Sequence, residues 1–165
     1  MDGPAILALL AERFGSAIAE THAHRGDHTA VLPREAIADA LRFCRDDGRL
    51  GFDMLTDLTA VDYSKFPGRE DGPRFEVVYH LYSVPHNHRL RLKTRVSEDD
   101  AVVPTALGLW PIANWFEREV WDMFGIRFEG HPDLRRLLLY EEFAGHPLRK
   151  DYPINRRQPL VGPRI

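Results

Sequence analysis

Residues 115–136 read WFEREVWDMFGIRFEGHPDLRR, and residues 145–153 read GHPLRKDYP. The first stretch decides the fold because it contains the last predicted helix and the point after which the chain is predicted to be extended. Apolar residues recur at helical spacing between Pro111 and Gly125. Five prolines follow Gly125 and prevent the helix from continuing. The chain is therefore predicted to form a compact α+β domain over residues 1–126 and an extended C-terminal arm over residues 127–165.

Patterns upstream of this helix predict two layers of structure. Residues 88–96 alternate strictly, with apolar residues such as Leu90 and Leu92 on one face and basic residues such as Arg89 and Arg91 on the other. Because the strands come in runs, the fold class is α+β, with a mixed or mostly antiparallel sheet packed by helices. The predicted elements are a helix from Pro4 to Phe14, a hairpin of strands 16–23 and 28–32, a helix from Pro33 to Asp47, and strands over 52–62, 74–84 and 88–96.

Composition limits the class of protein. The 165 residues suit one folded domain, 44% of them are hydrophobic, and no apolar run approaches the roughly 20 residues of a membrane helix. The single cysteine, Cys44, excludes an internal disulfide and a cysteine-rich cluster, and it is expected to be a core residue in a reducing compartment. The net charge is −3, yet residues 125–165 carry +3, so the body is acidic and the arm is basic. This asymmetry indicates that the two parts have different neighbours.

The charged residues of the last helix could be paired carboxylates for acid–base catalysis, but a structural ion-pair lattice is favoured. The lattice would join the Glu117-Arg118-Glu119 triplet and Asp122 to Arg127, Arg135 and Arg136, with each carboxylate paired to a cation. Glu119 lies at the edge of the apolar arc formed by Ile112, Phe116, Val120, Met123 and Phe124. It is expected to be partly buried and to need a cation.

The eight histidines do not converge on a metal site, because no carboxylate or cysteine stands at a matching interval. His131 and His146 each lie between a glycine and a proline, and they are expected to lock two similar turns by hydrogen bonds to the backbone. The chain has no glycine-rich phosphate loop and no nucleic-acid-binding pattern. No catalytic, cofactor-binding or metal residue is therefore assigned, and a free-standing enzyme or a nucleic-acid binder stays the less favoured alternative.

The motifs of these two stretches closely resemble the C subunit of NADH:quinone oxidoreductase, respiratory complex I. The resemblance is dense over about forty residues and weaker upstream, where Asp57-Leu58-Thr59 and Val61-Asp62 also match the family pattern. The positions that carry it, and that would contact other subunits, are Glu117, Arg118, Glu119, Asp122, Gly125, Gly130, His131, Pro132, Arg135, Arg136, Gly145, His146, Pro147, Arg149, Lys150, Asp151, Tyr152 and Pro153.

The resemblance implies a non-catalytic subunit of the hydrophilic arm of a proton-translocating NADH:quinone oxidoreductase. The expected partners are subunits D, B and I, with FMN and iron–sulfur clusters held by partner subunits and none by this chain. The chain would be a peripheral protein on the cytoplasmic side of the cell membrane, touching the membrane only through the complex. The same module occurs in membrane-bound hydrogenases and formate hydrogenlyase-type complexes, which is the alternative hypothesis.

Overall fold

The computed structural model describes residues 1–69 and 72–160. It confirms an α+β fold with a mixed sheet. The helices and strands, in chain order, are α1 (Gly3–Phe14), β1 (Glu20–His24), β2 (Asp27–Val31), α2 (Arg34–Asp46), β3 (Met54–Asp62), β4 (Phe75–Ser83), β5 (His88–Val96), β6 (Val102–Pro104), α3 (Ala113–Phe124) and β7 (Arg127–Glu129).

Strands β1 to β5 form one sheet in the order β1-β2-β5-β4-β3. The β2–β5 pair is parallel, and the other neighbours are antiparallel. The β1–β2 hairpin turns at Arg25 and Gly26, which both have positive φ angles, of 54° and 88°. The first strand starts later than predicted, because a 3₁₀ turn over Gly15–Ala17 precedes it.

The three helices pack on one face of this sheet, around a core that includes Ile6 of α1, Ile37 of α2 and Val120 of α3. The alternation predicted for β5 is confirmed, since Leu90 and Leu92 are buried in that core. Cys44 is also buried there, as predicted, and burial raises the pKa of its thiol. None of the helices in the described ranges combines the length and the apolarity needed to cross a bilayer.

Two short strands, β6 and β7, were not predicted. They form a separate parallel pair, in which Val103 and Phe128 are buried against the main core. Each strand has only three residues, which is too short to show a period of two. Strand β7 lies beyond residue 126, so the first residues of the arm complete the fold of the domain. After β7 the described part of the arm, residues 130–160, runs through turns without a helix or a strand.

Candidate functional site

The C-terminal end of α3 is the point on which the arm converges. The last four carbonyl groups of a helix have no partner within the helix. In this chain the carbonyl of Trp121 accepts a hydrogen bond from Gly125 N at 2.8 Å, and that of Met123 accepts one from Leu148 N at 3.1 Å. The carbonyl of Asp122 pairs with His146, and the remaining carbonyl, that of Phe124, accepts from Arg149 Nε at 2.6 Å. Three of the four carbonyls are thus satisfied by the second Gly-His-Pro motif of the arm and the residues after it, and the positive charge of Arg149 meets the negative end of the helix.

Gly125 makes this approach possible. Its φ angle is 76°, in the left-handed region that favours glycine. A Cβ atom at this position would lie 2.6 Å from His146 Nε2 and 2.7 Å from Arg149 Nη2. Any other residue would push the arm away from the helix end.

The side chain of Asp122 forms the first anchor of the arm. It is fully buried, and its carboxylate accepts hydrogen bonds from the backbone N–H groups of Leu137, Leu138 and Leu139 at 2.9 to 3.1 Å. Arg136 Nη1 adds an ion pair at 2.6 Å. Burial opposes ionisation, but these donors outweigh it, so the pKa of Asp122 is lowered and the carboxylate is charged at neutral pH.

Arg136 is itself held by aromatic rings and carbonyl groups. Its guanidinium lies 5.7 Å from the ring centre of Trp121 and 5.8 Å from that of Phe143. Its second terminal nitrogen donates to the carbonyl of Phe143 at 2.7 Å. Phe143 stacks in turn on Tyr152, with ring centres 6.0 Å apart. The two halves of the arm therefore pack against each other as well as against α3.

Asp62, at the end of β3, forms the second anchor. Its buried carboxylate accepts from Lys150 N at 2.8 Å and from Ser64 N at 2.9 Å, and it pairs with Arg74 at 2.8 Å. Burial favours the neutral acid, yet Arg74 and the backbone donors lower the pKa of Asp62. Arg74 also reaches Asp151 of the arm at 2.7 Å.

Glu98 links the same anchor to the helix end. One carboxylate oxygen lies 2.7 Å from Arg74 Nη1, and the other lies 3.2 Å from Arg149 Nη1. Because Arg149 also caps α3, a continuous chain of ion pairs connects the sheet edge with the helix terminus.

The expectation for Glu119 was wrong. Glu119 is exposed, whereas Glu117 is fully buried. Within residues 1–69 and 72–160 Glu117 pairs with no arginine: it accepts from Thr105 Oγ1 and from Ala106 N, both at 2.6 Å. Without a cation nearby, burial raises the pKa of Glu117 to about 7.

Arg118 also departs from the predicted lattice. Its guanidinium donates to the carbonyls of Arg135 and Arg136, at 3.2 and 3.1 Å, and lies 5.3 Å from the ring centre of Trp115. Arg135 pairs with Asp133 at the surface. Of the three arginines expected to neutralise the helix carboxylates, Arg136 does so, Arg135 pairs elsewhere, and Arg127 has no ion pair among the described residues.

Both Gly-His-Pro histidines form hydrogen bonds with the backbone, as predicted, but His131 accepts one and His146 donates one. His131 Nδ1 accepts from Asp133 N at 3.1 Å, so the neutral ring carries its proton on Nε2. His146 Nδ1 lies 3.0 Å from the carbonyl of Asp122, so it must donate and the proton is on Nδ1. Burial lowers the pKa of His146, which keeps the ring neutral. The first histidine shapes a local turn, and the second joins the arm to α3.

The remaining signature residues lie along the arm. Gly130 and Gly145 begin the two turns with positive φ angles, Pro132, Pro147 and Pro153 follow within them, and Tyr152 contacts Gln158 and the ring of Phe143. Sequence reasoning missed Arg74, Glu98 and Thr105, and it gave Asp62 no role. A signal for Asp62 was present, since it shares the inward face of β3 with the buried Leu58 and Ala60. A carboxylate on an apolar strand face must find donors.

The residues of this site hold the arm against the domain. Its titratable groups are occupied by backbone donors or by ion pairs, and the described residues contain no group of three or more His, Cys, Asp or Glu placed to hold a metal ion. The outer side of the arm is different, because it exposes large aliphatic side chains. These are Leu138 (61% exposed), Leu148 (50% exposed) and the fully exposed Ile154 and Leu160.

Comparison with known proteins gives a consistent family. The family model described as respiratory-chain NADH dehydrogenase, 30 kDa subunit, matches residues 30–158. The chain is 47% identical to the NADH-quinone oxidoreductase C subunit of Roseiflexus castenholzii over 158 residues, which cover 96% of this chain and 88% of that protein. It is 44% identical to the protein of the same name in Geobacter sulfurreducens over 155 residues, covering 93% and 92% of the two chains.

Two solved structures are similar in fold. A trypsin-resistant fragment (1–134) of Nqo5 superposes with a TM-score of 0.69 at 36% identity, covering 78% of this chain and 98% of the fragment. A chain of the membrane-bound sulfane sulfur reductase, an archaeal respiratory membrane complex, gives a TM-score of 0.73 at 28% identity, covering 93% of this chain and 86% of that chain.

Proposed function

The chain belongs to the family of the 30 kDa subunit of respiratory-chain NADH dehydrogenase, and from this premise we propose that it is a structural subunit without an active site of its own. In this role it braces the hydrophilic part of an NADH:quinone oxidoreductase. The transfer of electrons from NADH to quinone, coupled to proton translocation, would then take place in its neighbours.

The observation that carries this proposal is the two-sided character of the arm. Its inner side is fastened to the domain by the anchors Asp122 and Asp62. Its outer side presents Leu148 and Ile154 to water, although these side chains contribute nothing to the core. Exposed aliphatic residues on a segment that is held in place are typical of a protein interface.

We infer that the neighbours contacted by the arm are subunits D, B and I of the complex. The FMN and the iron–sulfur clusters would be bound by partner subunits. The buried carboxylates of Asp122 and Asp62 support this assignment of the cofactors to partner subunits, because both already accept from donors of the chain itself. The chain would lie at the cytoplasmic side of the membrane as a peripheral component.

A second candidate is the equivalent subunit of another membrane-bound respiratory complex, such as a hydrogenase or a formate hydrogenlyase-type complex. The similarity to a chain of the sulfane sulfur reductase favours keeping it, because that complex is described as a respiratory membrane complex. The two candidates share the architecture and differ in the electron donor and acceptor.

Native co-purification from the host tests the proposal. The tagged chain should bring down iron–sulfur subunits, with an NADH-binding flavoprotein for the first candidate and a nickel-site subunit for the second. Ile154→Asp should reduce their recovery, since a charge would enter the interface without touching the domain. Ile154→Leu, which keeps an aliphatic side chain at the same position, is the matched control and should have no effect. Purification of the chain alone, or loss of partners only in the control, would overturn the proposal.

A further inference from the structure

The sheet face opposite the helices carries the four basic side chains of β5, and only those at one end pair with a buried carboxylate. Lys93 and Arg95 pair with the buried carboxylate of Glu76 at 2.7 and 3.0 Å, and Arg95 also reaches Glu20 at 2.8 Å. This end of the strand is neutralised by short, partly buried ion pairs.

At the other end of β5 the nearby acids are exposed, and one of them, Asp57 of β3, stands opposite His80 in the strand register. In the part of the chain that the structure describes, Arg91 has a single carboxylate partner, Asp27, at 3.2 Å, and that aspartate is 49% exposed at the start of β2. Arg89 has no ion pair among the described residues, and its guanidinium lies 5.6 Å from the ring centre of Tyr82. An ion pair between partly exposed groups contributes little to stability when no backbone donor supports it.

A cavity of about 360 Å³ opens at this end of β5. The strand register places His80 directly opposite Arg91 and Tyr82 directly opposite Arg89. Cross-strand pairs have Cβ atoms about 5 Å apart, so two cations, an imidazole and a phenol surround the same space. The rest of the wall is formed by Asp27, His28, Thr56, Leu81 and Leu90.

The functional groups around the cavity are suited to an oxyanion. Guanidinium groups bind carboxylate and phosphate oxygens with paired N–H donors. The phenol of Tyr82 is already directed to Asn87 Oδ1, at 2.8 Å, and the hydroxyl of Thr56 donates to the carbonyl of His80 at 2.9 Å. Burial, with a contribution from Arg91, lowers the pKa of His80, so the ring is neutral at pH 7 and the positive charge comes from the arginines. A cavity of this volume accommodates a small molecule.

We propose that the cavity on this face of the sheet, beside β4 and β5, binds the phosphate or carboxylate group of a small anionic molecule, held by Arg89 and Arg91. The anion replaces the contact between Arg91 and Asp27. The site is remote from the anchors of the arm, and it does not depend on the structural role proposed above.

Titration of the ¹⁵N-labelled full chain, followed by two-dimensional NMR at constant ionic strength, tests this site. Inorganic phosphate and succinate are added in separate series, and the tighter of the two identifies the class of oxyanion. Saturable shifts should be confined to amides around Tyr82, Arg89 and Arg91. Arg89→Gln should weaken binding about tenfold, because one charge-assisted contact is lost.

The control is Arg127→Gln, which removes an equally exposed charge far from the cavity and should leave the affinity unchanged. Arg89 is exposed and makes no core contact, so its substitution does not threaten folding. Linear, unsaturable shifts with both anions would overturn the proposal. Equal weakening by Arg89→Gln and Arg127→Gln would also overturn it, since it would show only general attraction to positive charge.

Discussion

Asp122→Ala is expected to release the arm while leaving the domain folded. The substitution removes a buried acceptor from four donors, the guanidinium of Arg136 at 2.6 Å and three backbone N–H groups at 2.9 to 3.1 Å. Removing one partner of a buried ion pair costs about 3–5 kcal/mol. The core beneath keeps its apolar contacts, so the donors can regain water if residues 136–139 lift away from α3.

The magnitude follows from that local opening. If the closed arm loses about 3–5 kcal/mol, the open population rises on the order of 10²–10⁴-fold. Proteolysis of a segment that opens and closes quickly follows this population. Trypsin suits the assay because Arg135 and Arg136 are in the segment, and a trypsin-resistant fragment of the relative Nqo5 has been solved.

The assay compares tryptic cleavage after Arg135 and Arg136 with the thermal unfolding of the domain. Asp122→Ala should be cut far faster than the wild type, with a cleaved product that still unfolds cooperatively. Glu119→Ala is the matched control, since Glu119 lies one turn away on the same helix and is exposed. Unchanged cleavage in Asp122→Ala, or collapse of the whole domain, would refute the reasoning that the carboxylate holds the arm as a separable layer.

Three further predictions test the buried groups. Glu117→Gln should mimic the protonated acid. Because the folded pKa of Glu117 is about 7 against an ordinary 4.5, the wild type should lose about 3 kcal/mol of unfolding free energy as the pH rises from 4.5 to 7. The unfolding free energy of the variant, measured with urea, should lack this dependence on pH. Asp62→Asn should expose the chain around Lys150 to trypsin, and because the folded pKa of Asp62 is lowered, the wild-type anchor should be present at neutral pH and weaken only as acid protonates it. Cys44 should resist a thiol reagent in the native chain and react on unfolding, so fast native labelling would contradict its place in the core.

The error over Glu119 shows what a helical pattern can and cannot establish. The predicted arc included Ile112, which is 44% exposed and lies outside the helix. An arc based on Ala113, Val120 and Phe124 places Glu117 at its centre, at spacings of four, three and seven residues. The apolar pattern predicted the helix correctly. Including Ile112 in the apolar arc, however, rotated the predicted buried face about the helix axis, from Glu117 towards Glu119.

The path of the arm could not be predicted for a different reason. Lys150 N donates to Asp62 across 88 positions of the sequence. Backbone donors have no sequence identity, so no residue pattern marks which N–H a buried carboxylate will accept. The alternation of β5 and the burial of Cys44 were predictable because they depend on local apolar spacing.

The capping of α3 by the arm limits where the chain can change length. The carbonyls of Asp122, Met123 and Phe124 reach three different donors of the arm, and the Asp122 side chain reaches a fourth group of residues. One residue inserted into α3 would turn these acceptors by about 100° and shift them by about 1.5 Å. Insertions and deletions should therefore be excluded between Glu117 and Leu139. The exposed residues 65–68, beyond the Ser64 donor to Asp62, should tolerate them, and they offer a place to insert a tag or a fluorescent domain without disturbing the arm.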